Sequence, residues 1–334
     1  MEKVTSLQVA QRAGVSQSAV SRVFTPGASA SAKTVEKVRK AADELGYRPN
    51  RVARAMITGK SRIIGLVVAY LDNQFYPLAL ERLSNALQDE GYHILVFTAG
   101  NDAARTAEVM QELLEYQVEG IITASVGISN DISERCRALG IPVVLFNRGQ
   151  DGDDISSVTS ANFAGGYKVA EYLAACGHQR IAHISGWAGS STGRDRQRGF
   201  EAGMAEAGLV PHAIVDGMYD AEVAAKATRD LMSQDNRPDA IFVGNDHMAF
   251  TVLDVLRHEL SLKVPDDVAV VGYDDVPLAS WPAYALTTVR QPLNQMVEAT
   301  VQMLMSQIAG NRSSRRIEID GALMVRASTK GPKE

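Results

Sequence analysis

The sequence predicts an N-terminal all-α domain followed by a larger α/β domain with two lobes. Three observations carry this prediction. Helix caps and helically spaced apolar residues fill the first 47 residues, short apolar runs alternate with helical stretches from residue 62 onward, and the formal charge changes sign between the two parts. We therefore divide the chain into a headpiece (1–47), a linker (48–61) and a body (62–334).

Bulk composition excludes several classes of protein. The 334 residues are 46% hydrophobic and 22% charged, as in a globular protein with a core. Cys136 and Cys176 stand far apart in apolar surroundings, so we expect reduced thiols and no disulfide framework. The start is unlike a signal peptide, and no run of about 18 uncharged apolar residues occurs. We expect a cytoplasmic protein without a membrane partner.

The net charge of -5 conceals a strong asymmetry. Residues 1–60 hold 11 Lys and Arg against 4 Asp and Glu, a formal charge of +7, whereas the remainder carries -12. Positive charge gathered at one end of an acidic chain favours a polyanionic partner, because counterions released from phosphates drive binding. A solvated charged face is the alternative when charge is considered alone.

Local signals predict three short helices in the headpiece. Thr5 and Gln8 form a capping box, and Gly14 ends the first helix where a positive φ is tolerated. Ser16 caps the second helix and Ser31 the third. Helical spacing predicts that these apolar residues face the core: Leu7, Ala10, Ala13, Val20, Val23, Val35, Val38, Ala42 and Leu45.

Two short helices joined by a Gly-Val-Ser turn have the geometry of a helix-turn-helix, whose second helix can enter the major groove of DNA. A generic three-helix bundle shares the core spacing. It does not explain the basic surface or the polar, short-chained second helix. The sequence therefore favours a DNA-binding headpiece.

Ordered motifs in this region carry a family resemblance. They are VTSLQVA (4–10), AGVS (13–16), VSRV (20–23), KV (37–38), LGY (45–47), PN (49–50) and AR (53–54), continuing into IGLVV (64–68). Together they resemble the headpiece of the lactose-repressor (LacI) family of transcriptional regulators. The resemblance implies that Gln17, Ser18 and Arg22 read base edges. It also implies phosphate contacts at Ser16, Ser21, Ser31 and Asn50, and further DNA contacts at Thr5, Ala53 and Arg54.

Residues 50–58 have few apolar positions and would form a marginal helix in water. The family resemblance implies a hinge helix that folds in the minor groove, where relatives wedge a Leu between base pairs. Met56 occupies that position here. A flexible thioether is still an apolar wedge, but it leaves the strength of the kink open.

Strand and helix patterns alternate through the body. Apolar runs predict strands at 63–69, 93–98, 120–124, 142–146, 181–185, 213–216, 240–244 and 268–272. Helical patterns lie at 78–89, 104–116 and 132–139 and around Tyr167, Phe200, Ala224 and Val252. Such alternation implies parallel sheets covered on both faces, and two successive sets imply two lobes. A ligand then sits in the cleft at the carboxyl ends of the strands.

Five motifs in the body extend the resemblance: GHQRI (177–181), RQRGF (196–200), GND (244–246), VVGYDD (270–275) and LTTV (286–289). The body resembles the family's effector domain, which is similar to type I periplasmic binding proteins. The resemblance implies effector contacts at Arg196, Asn245 and Asp274, at Phe75, Tyr76 and Tyr219, and at Arg148. Ala161 departs from the family, because many relatives carry an acidic residue there.

Several of these positions have a structural alternative. Phe75 and Tyr76 could be core residues, and Arg196 could belong to a solvated charge run. Asp274 and Asp275 could cap a helix, although a carboxylate at a strand end in the cleft also suits hydroxyl recognition.

The resemblance implies a small polar effector, a sugar or sugar acid. We expect Arg196 and Asp274 to clamp vicinal hydroxyls from opposite lobes, and Arg148 to favour a carboxylate or phosphate on the ligand. Pairing of Arg148 with a neighbouring acid, and a neutral ligand, is the alternative. Whether the effector releases DNA or promotes binding, and which genes are controlled, stays open.

We expect a DNA-binding regulator that acts as a repressor, and two other functions compete with this interpretation. An enzyme is disfavoured because Gly59-Lys60-Ser61 lacks the first Gly of a P-loop, where Arg54 stands, and because no nucleophile elbow, dinucleotide fingerprint or metal-spaced cluster occurs. We expect no cofactor and no metal. A transport binding protein would need export and would not need the headpiece.

The expected partner is a nearly palindromic DNA operator bound by a homodimer, because one headpiece buries too little surface to bind tightly. Some relatives become tetramers through a terminal leucine heptad. The stretch after Gly310 contains no such heptad. A dimer is therefore favoured.

Overall fold

A computed structural model describes residues 4–25, 28–48, 60–100, 103–150, 155–311 and 313–332. The chain divides into two compact units, Met1–Ser61 and Arg62–Glu334. Most of the expected linker, including Asn50, Ala53, Arg54 and Met56, lies outside the described residues. The expectations for these four residues stay predictions.

The headpiece contains the three predicted helices, α1 (Ser6–Ala13), α2 (Gln17–Val23) and α3 (Ala32–Leu45). The capping box is present, since the Thr5 hydroxyl accepts from the Gln8 amide at 3.3 Å and the Gln8 side chain accepts from the Thr5 amide at 2.8 Å. Gly14, at φ 64°, ends α1 in the left-handed conformation that favours glycine. Local capping chemistry thus sets the helix boundaries.

The headpiece core differs from the prediction most clearly on α1, where Val9 rather than Leu7 is buried. Val9, Val20 and Val38 are fully buried and pack together with small alanines. Leu7 was expected in this core but is 51% exposed, so that prediction was wrong. The buried face of α1 centres on Val9 and Ala10, and at about 100° per residue Leu7 points to its side.

The body alternates strands and helices. In chain order it contains β1 (Ile63–Val68), α4 (Phe75–Asp89), β2 (His93–Thr98), α5 (Ala103–Glu115), β3 (Gly120–Ala124), α6 (Asn130–Ala138), β4 (Val143–Phe146), β5 (Ser156–Ser160), α7 (Asn162–Ala175), β6 (Ile181–Ser185), α8 (Ser191–Glu206), β7 (Ala213–Asp216), α9 (Ala221–Met232), β8 (Ala240–Val243), α10 (Asp246–Asp254), a π-helical turn (Val255–Glu259), β9 (Ala269–Asp274), a 3-10 turn (Pro277–Ser280), β10 (Thr287–Arg290), α11 (Leu293–Ile308), β11 (Arg316–Ile319) and β12 (Leu323–Met324). Within the described residues, no helix is both long and apolar enough to span a bilayer.

Two six-stranded sheets define the two predicted lobes. The first lobe has the all-parallel order β11-β5-β4-β3-β1-β2, between α4 and α11 on one face and α5 and α6 on the other. The second lobe has the order β12-β10-β9-β8-β6-β7, with only β12 antiparallel. Helices α7 and α8 cover one face of this sheet, and α9 and α10 cover the other. Helices on both faces explain why the strands read as continuous apolar runs.

The chain crosses between the lobes three times, after β5, β10 and β11. The sequence analysis did not predict β5, β10, β11, β12 or α11. Strand β5 is the polar sequence SSVTS although every residue in it is buried, and α11 begins after Pro292 without a side-chain cap. Strand β5 therefore lacks the apolar run that identified the other strands.

Candidate functional site

The second helix of the headpiece presents one continuous polar face. Gln17, Ser18, Ser21 and Arg22 are all exposed, and their spacing along α2 places them on neighbouring turns of one side. The Gln17 amide donates to the Ser6 hydroxyl at 2.9 Å, which links α2 to the start of α1. The predicted base-reading residues are thus gathered on one accessible surface.

Three predicted DNA-contact residues are helix caps. Thr5 caps α1, Ser16 caps α2 by accepting from the Ala19 amide at 3.2 Å, and Ser31 caps α3 by accepting from the Thr34 amide at 3.2 Å. Helix N-termini attract phosphate because their free amides and the helix dipole favour negative charge. Thr5, Ser16 and Ser31 therefore each lie at a helix N-terminus, where backbone amides can bind a phosphate.

The first lobe contributes a hydrogen-bonded triad at the carboxyl ends of its strands. The Tyr76 hydroxyl bonds the Ser125 hydroxyl, and the Asn147 amide donates to both, at 3.3 and 3.2 Å respectively. Ser125 and Asn147 directly follow β3 and β4 and have φ values of 59° and 67°. Sequence analysis missed both residues, although a polar residue directly after a buried strand was the available signal.

Phe75 lies in the core of the first lobe. It is 2% exposed and stacks on Phe146 with ring centroids 6.4 Å apart. Its ring also meets Tyr76 edge-on at 5.5 Å. The geometry favours the core alternative for Phe75, which supports the Tyr76 ring from behind.

Arg196 is held rigidly in the second lobe. Its Nε donates to Asn162 Oδ1 at 2.9 Å and its Nη1 donates to the Gly244 carbonyl at 2.6 Å. Its side chain is 3% exposed, whereas that of Arg198 on the same helix is 70% exposed. The solvated-run alternative is therefore wrong for Arg196. The supporting Asn162 follows Ala161, the position that departs from the family.

Asp274 lies beside Arg196 in the second lobe, since α8 and β9 both belong to that lobe, so the expectation that the two residues act from opposite lobes was wrong. Its Oδ1 lies 3.8 Å from Arg196 Nη2 and accepts from the Gln291 amide at 2.7 Å. Burial raises the pKa of Asp274, while Arg196 and hydrogen bonds from Gln291 and Asn73 oppose the rise. Asn73 belongs to the first lobe and Asp274 to the second, so groups of both lobes influence the pKa of this carboxylate.

Asp275 has a different role from its neighbour. Its two oxygens accept from Arg290 and Arg326, each at 2.6 Å. The following 3-10 turn has no side-chain cap, so neither Asp274 nor Asp275 caps it. The Asp275 carboxylate therefore links Arg290 of β10 to Arg326 near the end of the chain. The Asp274 carboxylate is left to face the cleft.

Asn245 and Tyr219 complete the predicted set. Asn245 caps α10 by accepting from the Met248 amide at 3.0 Å. The Tyr219 hydroxyl lies 3.0 Å from Thr192 Oγ1, and its ring lies against Gly186, where a Cβ would come within 2.0 Å of the ring. Glycine is required at this point because the tyrosine ring occupies that space.

Electrostatic effects indicate which of these side chains converge. Burial raises the pKa of Tyr76, Arg148 opposes the rise, and Asp274 and Tyr219 add to it. Burial alone would lower the pKa of Arg196, but Tyr219, Asp274 and other groups outweigh it and the net shift is upward. Electrostatic interactions weaken with distance. These mutual effects therefore indicate that Tyr76, Arg148, Arg196, Tyr219 and Asp274 lie near one another. Among the described residues, no cluster of three His, Cys, Asp or Glu side chains is placed to hold a metal.

Comparison with known proteins agrees with both halves of this description. The model for "Bacterial regulatory proteins, lacI family" matches residues 7–50, and that for "Periplasmic binding protein-like domain" matches residues 170–329. The chain is 30% identical over 330 residues to the HTH-type transcriptional repressor PurR of Vibrio campbellii, covering 98% of each. The chain belongs to the lacI family.

Two solved structures of similar proteins extend the agreement to the fold. A lac repressor dimer bound to operator and the anti-inducer ONPF has a TM-score of 0.89 and 27% identity, covering 98% of this chain and 99% of that one. A complex of the transcriptional regulator CelR with cellobiose has a TM-score of 0.74 and 29% identity, covering 98% and 100%. This lacI-family chain is thus a DNA-binding regulator with a two-lobed effector domain.

In this lacI-family member, further contacts join the two lobes around the cleft. The Gly149 amide donates to Ser191 Oγ at 3.0 Å, and the Arg148 guanidinium carbon lies 5.4 Å from the Trp187 ring centroid. His247 Nε2 lies 4.0 Å from Asp72 Oδ2 at the rim. Trp187 was missed in the sequence analysis, because it follows a strand without belonging to a motif of the resemblance.

Proposed function

We propose that the chain is a sequence-specific repressor whose operator affinity is controlled by a small, sugar-like effector bound between the lobes. The buried Arg196–Asp274 pair carries this proposal. Its 3.8 Å separation leaves a donor and an acceptor facing the same cleft, which suits the vicinal hydroxyls of a sugar. Tyr76 and Asn147 offer further hydroxyl and amide groups from the other lobe.

We propose further that Gln17, Ser18 and Arg22 read bases, while Thr5, Ser16, Ser21, Ser31, Asn50, Ala53, Arg54 and Met56 anchor or kink the operator. The effector contacts are proposed at Tyr76, Arg148, Arg196, Tyr219, Asn245 and Asp274. The lac repressor neighbour is a dimer on its operator and the CelR neighbour holds cellobiose, which supports a dimer and a sugar here.

We also propose domain boundaries at 47/48 and 61/62, a homodimer and a cytoplasmic location. A dimer presents two headpieces to two half-sites, and one module alone buries too little surface. The effector acts without being transformed, so we propose no catalytic activity. Its influence on DNA binding cannot exceed its difference in affinity for the two states of the regulator.

Selection of genomic fragments on the full-length protein, followed by footprinting, tests this function. We expect a protected, nearly palindromic site and a sedimentation mass of two chains on one operator. A panel of neutral sugars, sugar acids and sugar phosphates is then added. We expect one class to shift operator affinity in wild type and to fail in Arg196→Met. A stable monomer on the operator, or the absence of any selected site, contradicts the proposal.

A further inference from the structure

Three residues meet at the amino ends of three neighbouring strands in the first lobe. Arg62, Tyr92 and Glu119 directly precede β1, β2 and β3, which lie side by side at one edge of the sheet. The candidate effector cleft lies at the opposite, carboxyl ends of the same strands. Arg62 is also the first residue of the body, where the chain arrives from the linker. We call these three residues the entry clasp.

Arg62 adopts a backbone conformation that is unfavourable for its residue type. Its φ is 56°, in the left-handed region that favours glycine. A non-glycine residue keeps such a conformation only where surrounding contacts hold it, and these residues are concentrated at functional sites. The Arg62 amide donates to Glu119 Oε1 at 2.6 Å, and its carbonyl accepts from the His93 amide at 2.9 Å. The turn at Arg62 is therefore held from the sides of both neighbouring strands.

The side chains of the entry clasp surround this turn. The guanidinium carbon of Arg62 lies 4.9 Å from the centroid of the Tyr92 ring, and the Tyr92 hydroxyl donates to Glu119 Oε2 at 3.3 Å. Tyr92 is buried and packs in the core of the first lobe. Burial and Glu119 raise the pKa of Tyr92, while Arg62 opposes the rise. The two oxygens of Glu119 therefore join a buried aromatic residue to the backbone of Arg62.

We propose that Glu119 is a positioning residue for operator binding, because its carboxylate fixes the backbone turn at which the linker enters the body. This inference rests on the proposed function. Specific binding requires the two headpieces of a dimer to reach half-sites at a fixed spacing, so the direction of each linker matters. Non-specific binding depends mainly on charge and does not require that spacing. Loss of the turn should therefore weaken binding to the operator more than binding to random DNA.

The test compares full-length wild type with Glu119→Ala, Glu119→Gln and the control Glu115→Ala. Alanine removes both oxygens of the clasp, whereas glutamine keeps one oxygen for the Arg62 amide and can donate to the Tyr92 hydroxyl. Glu115 is exposed at the end of α5, and its replacement removes the same charge. Hydrogen exchange of peptides that contain Arg62, followed by mass spectrometry, reports on the turn. Titrations measure affinity for random DNA and for the operator that wild type selects.

We expect faster exchange at Arg62 in Glu119→Ala, with binding about tenfold weaker on the operator and changed by no more than about twofold on random DNA. Glu119→Gln should recover most of the operator affinity, and Glu115→Ala should match wild type. Unchanged operator affinity in Glu119→Ala overturns the proposal. So does an equal loss on both kinds of DNA, an equal loss in Glu115→Ala, or a loss in Glu119→Gln as large as that in Glu119→Ala.

A second variant keeps the proposal falsifiable if circular dichroism shows that Glu119→Ala does not fold. Tyr92→Phe keeps the buried ring and removes only the hydroxyl that donates to Glu119. We expect about threefold weaker binding to the operator and no loss on random DNA, because one hydrogen bond of the clasp is missing. Operator affinity equal to that of wild type overturns the role of Glu119 alone. A wild type that selects no operator refutes the proposed function itself.

Discussion

The guanidinium carbon of Arg196 lies 3.6 Å from the centroid of the Tyr273 ring. The Tyr273 hydroxyl in turn lies 3.0 Å from Ser160 Oγ, so the ring is anchored at its far end. Gly165 lacks a side chain where a Cβ would come within 2.5 Å of that hydroxyl. Stacking fixes the plane of the guanidinium, and the fixed plane aims Nη2 at Asp274.

Replacing Arg196 with Met should lower the free energy of unfolding by about 3 kcal/mol, because the buried Asp274 carboxylate loses its positive partner. Adding Asp274→Asn to that variant should recover part of the loss, since the uncompensated charge is removed. Urea unfolding at pH 7 measures both. Arg198→Met, at an exposed position, should change stability by less than about 0.5 kcal/mol. An additive double variant would show that the two side chains are not coupled.

The packing of α7 against α8 should depend on Gly199, which lies one turn after Arg196. A Cβ at Gly199 would stand 1.9 Å from the Phe163 carbonyl oxygen, so the backbones would have to separate. We expect Gly199→Ala to destabilise the chain by about 3 kcal/mol. Gly331→Ala is the control, since nothing lies within 4 Å of its added carbon. Equal melting temperatures for the two variants would contradict the close packing.

His183 should make stability depend on pH in the acid range. Burial lowers its pKa from the usual 6.5 to about 4, against the opposing hydrogen bond with the Phe242 carbonyl. Above about pH 6.5 the full stabilisation is present, because the imidazole is neutral in both states. As the pH falls toward 4, only the unfolded chain takes up the proton, so about 3 kcal/mol is lost across this window.

His183→Phe should flatten that slope, because the stacked position beside Phe242 is kept and the titrating group is removed. His258→Gln, at an exposed position, should leave the slope as it is in wild type. Unfolding by urea at intervals between pH 4 and 7 gives the comparison. The slope, rather than the stability at one pH, is diagnostic, since Phe also loses the hydrogen bond to the Phe242 carbonyl.

Arg22→Ala should weaken operator binding by roughly 1 to 3 kcal/mol and relax the preference at one base pair per half-site. Affinity for random DNA should fall much less, because a base contact carries the specificity. Arg39→Ala provides an exposed control on α3. Titration on operators with single base changes measures the effect. A uniform loss over all sequences would reassign Arg22 to a phosphate contact.

Met56→Ala should chiefly reduce DNA bending and the advantage of the correct site over random DNA, since the proposed apolar wedge is removed. Met56→Leu should preserve or increase the bend, because the branched side chain is less flexible. Gel mobility of operators placed at different points on a fragment reports the bend angle. An unchanged bend in Met56→Ala would remove this residue from the mechanism.

Local patterns in the sequence determined the three headpiece helices and the strand–helix alternation, whereas Arg196 and Asp274 were implied only by the family resemblance. Helix caps, helix-ending glycines and apolar periodicity involve only residues that are close in sequence, so they can be recognised before the fold is known. The same local information also places a polar, basic surface on the headpiece. It failed at Leu7, where one turn of helix decides which side faces the core.

Only the tertiary structure decided that Asn147, Ser125, Gln291 and Trp187 lie at the cleft and that Phe75 lies behind it. The first four follow strands or crossovers far apart in the chain, and only the assembly of the two six-stranded sheets brings them together. The buried polar strand β5 and the uncapped helix α11 likewise gain their stability from neighbours across the lobe. Contacts made at long sequence separation have no local pattern, because the partners supply the burial and the hydrogen bonds.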